Sequence, residues 1–262
     1  MHGNNPVVSV KNLSMGFGDQ IIMKDISFDV YSGEIFVILG GSGSGKSTLL
    51  KHMIGLYPPL SGQILINGQN LTGADDTGKM KILREIGISY QSGALFGSMT
   101  LMENVRLPLE EFTSLSRTAM DLVSRIKLSQ VGLIGYESHM PSELSGGMQK
   151  RAAIARAMAL DPAILFLDEP SAGLDPITSL DLDELILNLS NSLNITFIIV
   201  THELSSIFKI GHRMIILDKT RKTIADEGAP EDLRLNSPDP WVKSFLNRQS
   251  LNRHTKDHQN RL

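Results

Sequence analysis

Gly40-Gly41-Ser42-Gly43-Ser44-Gly45-Lys46-Ser47 follows the apolar run Ile35 to Leu39 and precedes the helix-like stretch Thr48 to Ile54. The spacing G-x-x-x-x-G-K-S between a buried strand pattern and a helix is the context that a phosphate-binding loop requires. Its glycines let successive backbone N–H groups turn inward as an anion nest, and the following helix adds its positive end. Lys46 is positioned to reach the β- and γ-phosphates of a nucleoside triphosphate as a point charge, and the Ser47 hydroxyl to coordinate Mg²⁺. Residues Gly40 through Thr48 are therefore nucleotide-binding candidates as a group. A flexible Gly/Ser linker would have no reason to end in Gly-Lys-Ser-Thr at a helix start.

A second segment, Leu144-Ser145-Gly146-Gly147-Met148, precedes another helix-like run, Gln149 to Leu160. Ser145, Gly146 and Gly147 thus offer more backbone N–H groups at a second helix N-terminus. One triphosphate can use both loops only if the second comes from another copy. The economical assembly is a two-fold symmetric, head-to-tail dimer that closes over two nucleotides in composite sites.

Together with Ile164-Leu165-Phe166-Leu167-Asp168-Glu169, an apolar strand ending in two carboxylates, these loops make the chain resemble the ATP-binding subunit of an ABC transporter over roughly its first nine-tenths. The resemblance implies ATP hydrolysis, with ATP and Mg²⁺ as ligands. Asp168 would hold Mg²⁺ from outside its directly bound oxygens, and Glu169 would polarise the attacking water as general base. Ser171-Ala172-Gly173-Leu174-Asp175 is similar to the loop that crosses the dimer seam, with Asp175 its residue to watch. His202, after the apolar strand Ile195 to Thr201, resembles the histidine that hydrogen-bonds the γ-phosphate and positions the water and Glu169. Gln91 closes the strand-like Ile86 to Tyr90 and resembles the glutamine that touches Mg²⁺ and the water. Phe17, in Met15-Gly16-Phe17-Gly18, is similar to the aromatic that stacks on adenine.

Composition agrees with a globular, intracellular chain. At 262 residues there is length for one large α/β domain, or for one domain with a subdomain. Lysine and arginine total 25 against 28 acidic residues, a net charge of −3 that argues against a nucleic-acid partner. The absence of cysteine excludes disulfides and thiolate metal sites. No basic segment with an apolar core opens the chain, and its apolar runs have strand length rather than membrane-spanning length. A transport role therefore needs a pore made by another polypeptide.

The expected fold is α/β: a P-loop NTPase core with an antiparallel β layer and an inserted helical subdomain. Val7 to Val10, Ile21 to Val30 and Ile64 to Ile66 supply the antiparallel layer. Leu101 to Leu109 and Ser116 to Val131 read as helices of a subdomain at about residues 92–145. From Gln149 onward helix and buried strand alternate as in a parallel sheet of βαβ units. The ATPase unit is expected over residues 1–240, and residues 241–262 as a C-terminal helix and polar tail. In that helix Trp241 and Phe245, like Val242 and Leu246, fall at i, i+4. Three readings of this end stand open: a docked helix with a disordered tail, a contact with a neighbouring subunit, and a weak attraction of its basic residues to anionic lipid.

The run Gln91-Ser92-Gly93-Ala94-Leu95-Phe96 is similar to ATPases of Mce-type lipid transporters, including the Mla system for phospholipids. Met148, where most of the superfamily has glutamine, and the proline of Met140-Pro141-Ser142-Glu143 point the same way. Gly93 and Ala94 would leave room for a permease helix, to which Leu95, Phe96 and Met99 offer apolar surface. This resemblance implies a homodimer of motor subunits on the cytoplasmic face of the inner membrane. Its partners would be transmembrane permease subunits, an Mce-type periplasmic lipid-binding subunit and a small cytoplasmic regulatory subunit. An amino-acid or peptide transporter motor, or a cell-division-type regulatory ATPase, is the alternative expectation.

Overall fold

Residues Ile35, Val37 and Leu39 face one way and Phe36 and Ile38 the other, and all five are buried, so a strand with no polar alternation must lie between two layers. The computed structural model, which describes residues 5–18 and 20–249, has that arrangement. A four-stranded antiparallel sheet in the order β2-β1-β4-β5 is built from β1 (Val8–Phe17), β2 (Gln20–Val30), β4 (Ser61–Ile66) and β5 (Gln69–Asn70). A six-stranded sheet runs β10-β9-β3-β8-β7-β6. Its strands are β3 (Ile35–Gly40), β6 (Ile86–Ser89), β7 (Ile164–Asp168), β8 (Thr196–Val200), β9 (Arg213–Asp218) and β10 (Thr223–Gly228). The Asn67-Gly68 turn between β4 and β5 has φ of 47° and 77°, the doubly positive geometry of a two-residue hairpin.

Helix α1 (Lys46–Met53) follows β3, and α2 (Asp76–Leu83) precedes β6. Helices α3 (Leu101–Phe112) and α4 (Arg117–Gln130) lie between β6 and α5 (Gly146–Ala157). Then come α6 (Pro176–Leu193), α7 (Leu204–Ile210), α8 (Pro230–Asn236) and α9 (Pro240–Leu246). Helix α3 begins in a capping box: Thr100 accepts from the Glu103 N–H at 3.2 Å while Glu103 accepts from the Thr100 N–H at 2.8 Å.

Period-two alternation divides the parallel strands between two cores. Phe36, Ile38, Ile164, Phe166, Ile198 and Val200 pack with α1 and the antiparallel layer. Ile35, Leu165, Leu167, Phe197 and Ile199 pack with α3 to α6. A third cluster under α7 to α9 takes Val37 and Leu39, together with Val242 and Leu246. The helix anticipated at the C-terminus is thus docked through Val242 and Leu246, while the polar tail beyond Gln249 lies outside the described residues.

Two expectations need correction. The alternation of parallel βαβ units ends at β9, because β10 returns antiparallel to it; its half-exposed Thr223–Gly228 is an edge strand. Helix α5 starts at Gly146 rather than Gln149, because the Ser145 hydroxyl already accepts the Met148 N–H at 3.3 Å and caps it.

Register brings the working residues to one edge. Ile38 and Asp168 both pair with Val200, and Ser89 pairs with Leu167. The carboxyl ends of β3, β8, β7 and β6 therefore stand side by side, where ligands bind in open parallel sheets.

Candidate active site

The loop leaving β3 is shaped by close approaches that only glycine permits. A Cβ at Gly40 would lie 2.4 Å from Ser44 Oγ, and one at Gly45, whose φ is 91°, would lie 2.9 Å from Ile22 Cγ2. Lys46 is buried and its ammonium donates to the carbonyls of Gly40 at 2.8 Å and Gly41 at 3.3 Å, folding back over the loop. Burial lowers the Lys46 pKa from its ordinary value, against the pull of the Glu169 and Asp168 carboxylates. Ser44 Oγ is buried without a partner, an unused hydroxyl inside a nest of N–H groups.

Asp168 ends β7 and Glu169 follows with φ of 47°, its N–H donating to the Val200 carbonyl at 2.8 Å. That left-handed backbone turns the Glu169 side chain back towards β8. There Oε1 lies 2.8 Å from His202 Nδ1, while Oε2 is buried and unpartnered. The Ser47 hydroxyl donates to Asp168 Oδ1 at 3.4 Å. Burial raises the Asp168 pKa, the Glu169 charge adds to the rise, and Ser47, Lys51 and Lys46 oppose it.

These oxygens suit a hard cation that takes few protein ligands and completes its shell on phosphates and water, as Mg²⁺ does. Among the described residues no three His, Cys, Asp or Glu side chains group as a metal cage. Gln91, just past β6, is exposed and borders an open cleft of about 540 Å³ with Tyr90, Ser92, Asp168, Ala172 and Gly173.

Lys46, Ser47, Asp168, Glu169, His202 and Gln91 thus share the sheet edge. Ser145, Gly146 and Gly147 belong to a second group. A Cβ at Gly147 would meet Thr178 Cγ2 at 2.3 Å and one at Gly146 would meet Leu174 at 3.5 Å, so the loop abuts the start of α6. Asp175 caps that helix, accepting from the Ile177 and Thr178 N–H groups at 3.1 Å and from the Thr178 hydroxyl at 2.5 Å. These hydrogen bonds, led by the Thr178 hydroxyl, hold the Asp175 pKa below its ordinary value. Phe17 ends β1, paired with Gln20; its side chain lies outside the described residues.

Two further basic residues of α5 bear on the site. Lys150 Nζ donates to the Gln91 carbonyl and, at 3.4 Å, to the Glu169 carbonyl. Arg156 donates to the carbonyls of Ala94 at 2.7 Å and Gly93 at 3.1 Å, and its guanidinium lies 5.8 Å from the Phe96 ring centre. The helical spacing around them reads as an ordinary solvated face, and only the fold reveals their carbonyl partners. Of the apolar residues expected to face a permease, Leu95 packs against the core, whereas Phe96 is 49% exposed.

A glycine-rich loop between a central parallel strand and a helix, with two carboxylates ending the strand beyond its neighbour, defines a P-loop nucleoside triphosphatase. Residues 23–172 match the family described as ABC transporter. The chain belongs to that family, as one of its ATP-binding, ATP-hydrolysing subunits. It is 40% identical over 240 residues, 92% of its length, to the probable ribonucleotide transport ATP-binding protein mkl of Mycobacterium leprae, of which it spans 68%. It is also 40% identical over 248 residues, 94% of its length and 92% of the relative, to the intermembrane phospholipid transport system ATP-binding protein MlaF of Haemophilus influenzae. Among solved structures, cbiO1 of Clostridium perfringens, part of an ABC transporter complex, superposes with a TM-score of 0.82 at 28% identity, covering 89% of this chain and 92% of that one. A dimeric post-hydrolysis ATP-binding cassette with ADP and Pi superposes with a TM-score of 0.75 at 31% identity, covering 85% and 98%. No described helix is long and apolar enough to cross a membrane.

Proposed function

We propose that this chain is the motor of a phospholipid transporter and that Glu169 is its general base. The observation that carries the catalytic assignment is the Glu169 carboxylate itself, with one oxygen held 2.8 Å from His202 Nδ1 and the other buried without a partner beside the phosphate loop. An oxygen so placed is ready to accept a proton from an attacking water. Gly40 to Thr48 wrap the phosphates, with Lys46 exchanging its loop carbonyls for the β- and γ-phosphate oxygens. Ser47, with Asp168 and Gln91 nearby, would hold Mg²⁺, which would offset charge on the transferring phosphoryl group. His202 orients Glu169 and reaches the γ-phosphate.

Ser145, Gly146 and Gly147 act on the nucleotide of a second copy, with Asp175 at the seam between the copies. Nucleotide binding shifts the pair towards closure only through contacts that exist in the closed state, and loss of the γ-phosphate removes them. Residues 1–240 make up the ATPase unit and residues 92–145 its helical part, in which exposed Phe96 meets a transmembrane permease; the tail beyond Gln249 lies outside the described residues. The lipid cargo is supported by the name of the phospholipid-transport relative; an Mce-type periplasmic subunit, a small cytoplasmic regulatory subunit and residence at the cytoplasmic face of the inner membrane follow from the resemblance of Gln91 to Phe96 to lipid-transporter motors. A ribonucleotide cargo is the second reading, favoured by the name of the mycobacterial relative.

The test is to extract the tagged chain from native membranes in mild detergent and identify co-purifying proteins and small molecules by mass spectrometry. A multi-span permease with an Mce-type subunit and bound phospholipid is expected. A permease without lipid retains the motor and discards the cargo, and no membrane protein at all discards both.

A further inference from the structure

Lys150 takes part in none of the steps above, yet it sits between two of their participants. Its ammonium, on the first turns of α5, donates both to the carbonyl of Gln91 and to that of Glu169, the latter at 3.4 Å. The Glu169 carbonyl also accepts the Ala172 N–H at 3.1 Å, and its N–H is engaged by Val200 at 2.8 Å. A non-glycine residue with φ of 47° keeps that conformation only when its surroundings over-determine it. Lys150 is one of those constraints, and the only one in this set that also grips the Gln91 segment. The farther end of that segment is bound to the same helix by Arg156, through the Gly93 and Ala94 carbonyls.

We infer that Lys150 is a positioning residue that ties the backbone of Glu169 to that of Gln91, so that the base is correctly aimed while the Gln91 segment rests on α5. The ammonium supplies two hydrogen bonds in directions set by separate segments, so displacing either one loosens the other. Burial lowers the pKa of the Lys150 ammonium, and the Asp168 and Glu169 charges oppose that shift by favouring the charged form. The inference rests on the reading of Glu169 as the base and deepens it. It assigns to α5 a duty towards its own chain's catalytic residue, besides the contact proposed for Ser145 to Gly147 with the other copy.

The experiment compares Lys150→Met, which keeps the stem and removes the donors, with Lys150→Gln, which keeps two N–H donors and removes the charge. Steady-state ATP turnover, affinity for a fluorescent ATP analogue and the thermal unfolding midpoint are measured on the full chain. Lys150→Met is expected to lower kcat roughly 10- to 100-fold, the scale of a misplaced catalytic group. Its KM, analogue affinity and unfolding midpoint stay near those of the parent, and Lys150→Gln recovers most of the lost kcat. An unchanged kcat in Lys150→Met overturns the inference. So does a loss of nucleotide affinity or stability in step with kcat, and so does a Lys150→Gln variant as slow as Lys150→Met, which would make the charge the active feature. Glu169→Gln, assayed beside them, separates the two readings: if it turns over normally the base assignment fails, and if it is inert while Lys150→Met is normal only the present inference fails.

Discussion

The Glu169 carboxylate and the His202 imidazole, 2.8 Å apart, differ sharply in exposure: the glutamate side chain is 11% accessible and the histidine 59%. The buried partner is the one suited to hold a proton-accepting oxygen away from bulk water, and the exposed partner the one able to move with an arriving phosphate. Replacing Glu169 with Gln is expected to preserve ATP binding and lower turnover by about 10²–10⁴-fold, the usual contribution of a general base. Size-exclusion chromatography with light scattering at saturating ATP and Mg²⁺ should then find a persistent dimer. A monomer under those conditions would count against the composite site. His202→Ala should reduce turnover as well, since it removes the group that orients the carboxylate.

Asp168 carries a stability cost that its proposed metal would relieve. Its pKa is raised in the folded chain, chiefly by burial and next by the Glu169 charge, so the ionised form is disfavoured relative to the unfolded chain. The resulting penalty is complete above the folded pKa and vanishes as pH falls below the unfolded value. Asp168→Asn is expected to raise the unfolding midpoint of the nucleotide-free protein at neutral pH, by an amount that shrinks as the pH drops through the carboxylate range. Mg²⁺-dependent turnover should be lost in the same variant. Scanning fluorimetry across pH tests the first outcome, and an unaltered or lowered midpoint at neutral pH would refute it.

Gly147 is constrained from its own chain before any partner is considered. Gly147→Ala drives a methyl group against Thr178 Cγ2, and overpacking of this kind costs about 1–3 kcal/mol. Thr178→Ser removes the obstructing methyl and keeps the hydroxyl that Asp175 accepts. The double variant should therefore recover the unfolding midpoint that the single Ala variant loses. If the double variant regains stability and still fails to hydrolyse ATP, the added Cβ blocks the nucleotide contact proposed for this loop.

Asn104 organises the bend between Gln91 and α3. It is fully buried; its Oδ1 accepts the Phe96 N–H at 2.8 Å and its Nδ2 approaches the carbonyls of Phe96, Met99 and Thr100 at 3.0–3.1 Å. Asn104→Leu takes away the partner of the Phe96 N–H and of the Met99 carbonyl, while the Phe96 and Thr100 carbonyls keep the Met99 and Asn104 N–H donors, and it is expected to destabilise the chain by roughly 2–4 kcal/mol. Denaturant unfolding measures this directly, and a loss below about 0.5 kcal/mol, the range of an ordinary surface change, would contradict it.

Much of the fold was legible because its constraints are local. A run of apolar residues ending in Gly-x-x-x-x-Gly-Lys-Ser states both the burial of a strand and the turn that follows, and Leu165-Phe166-Leu167-Asp168-Glu169 does the same for β7. The start of α5 was misplaced by a few residues because Gly146 and Gly147 are weak helix formers, and the Ser145 cap outweighs that weakness. The turn-back of β10 has no clear pattern in Thr223-Ile-Ala-Asp-Glu-Gly, whose half-exposed positions fit an edge strand of either direction. Lys150, Arg156 and Asn104 are illegible in the sequence for a different reason: their partners are backbone carbonyls or N–H groups, which carry no residue identity.

The central strand has a bearing on the order in which the protein comes into being. Val37 pairs with Ile199 on one side and Met214 on the other, so the strand that carries the phosphate loop lacks both neighbours in its sheet until the chain has been made beyond residue 214. Closing such distant pairs is entropically slow, and chains emerge from synthesis amino-terminus first. A ribosome-bound fragment that already displays Gly40 to Ser47 still lacks the sheet that supports them. The capacity to grip and spend a triphosphate therefore arrives only after β8 and β9 have emerged.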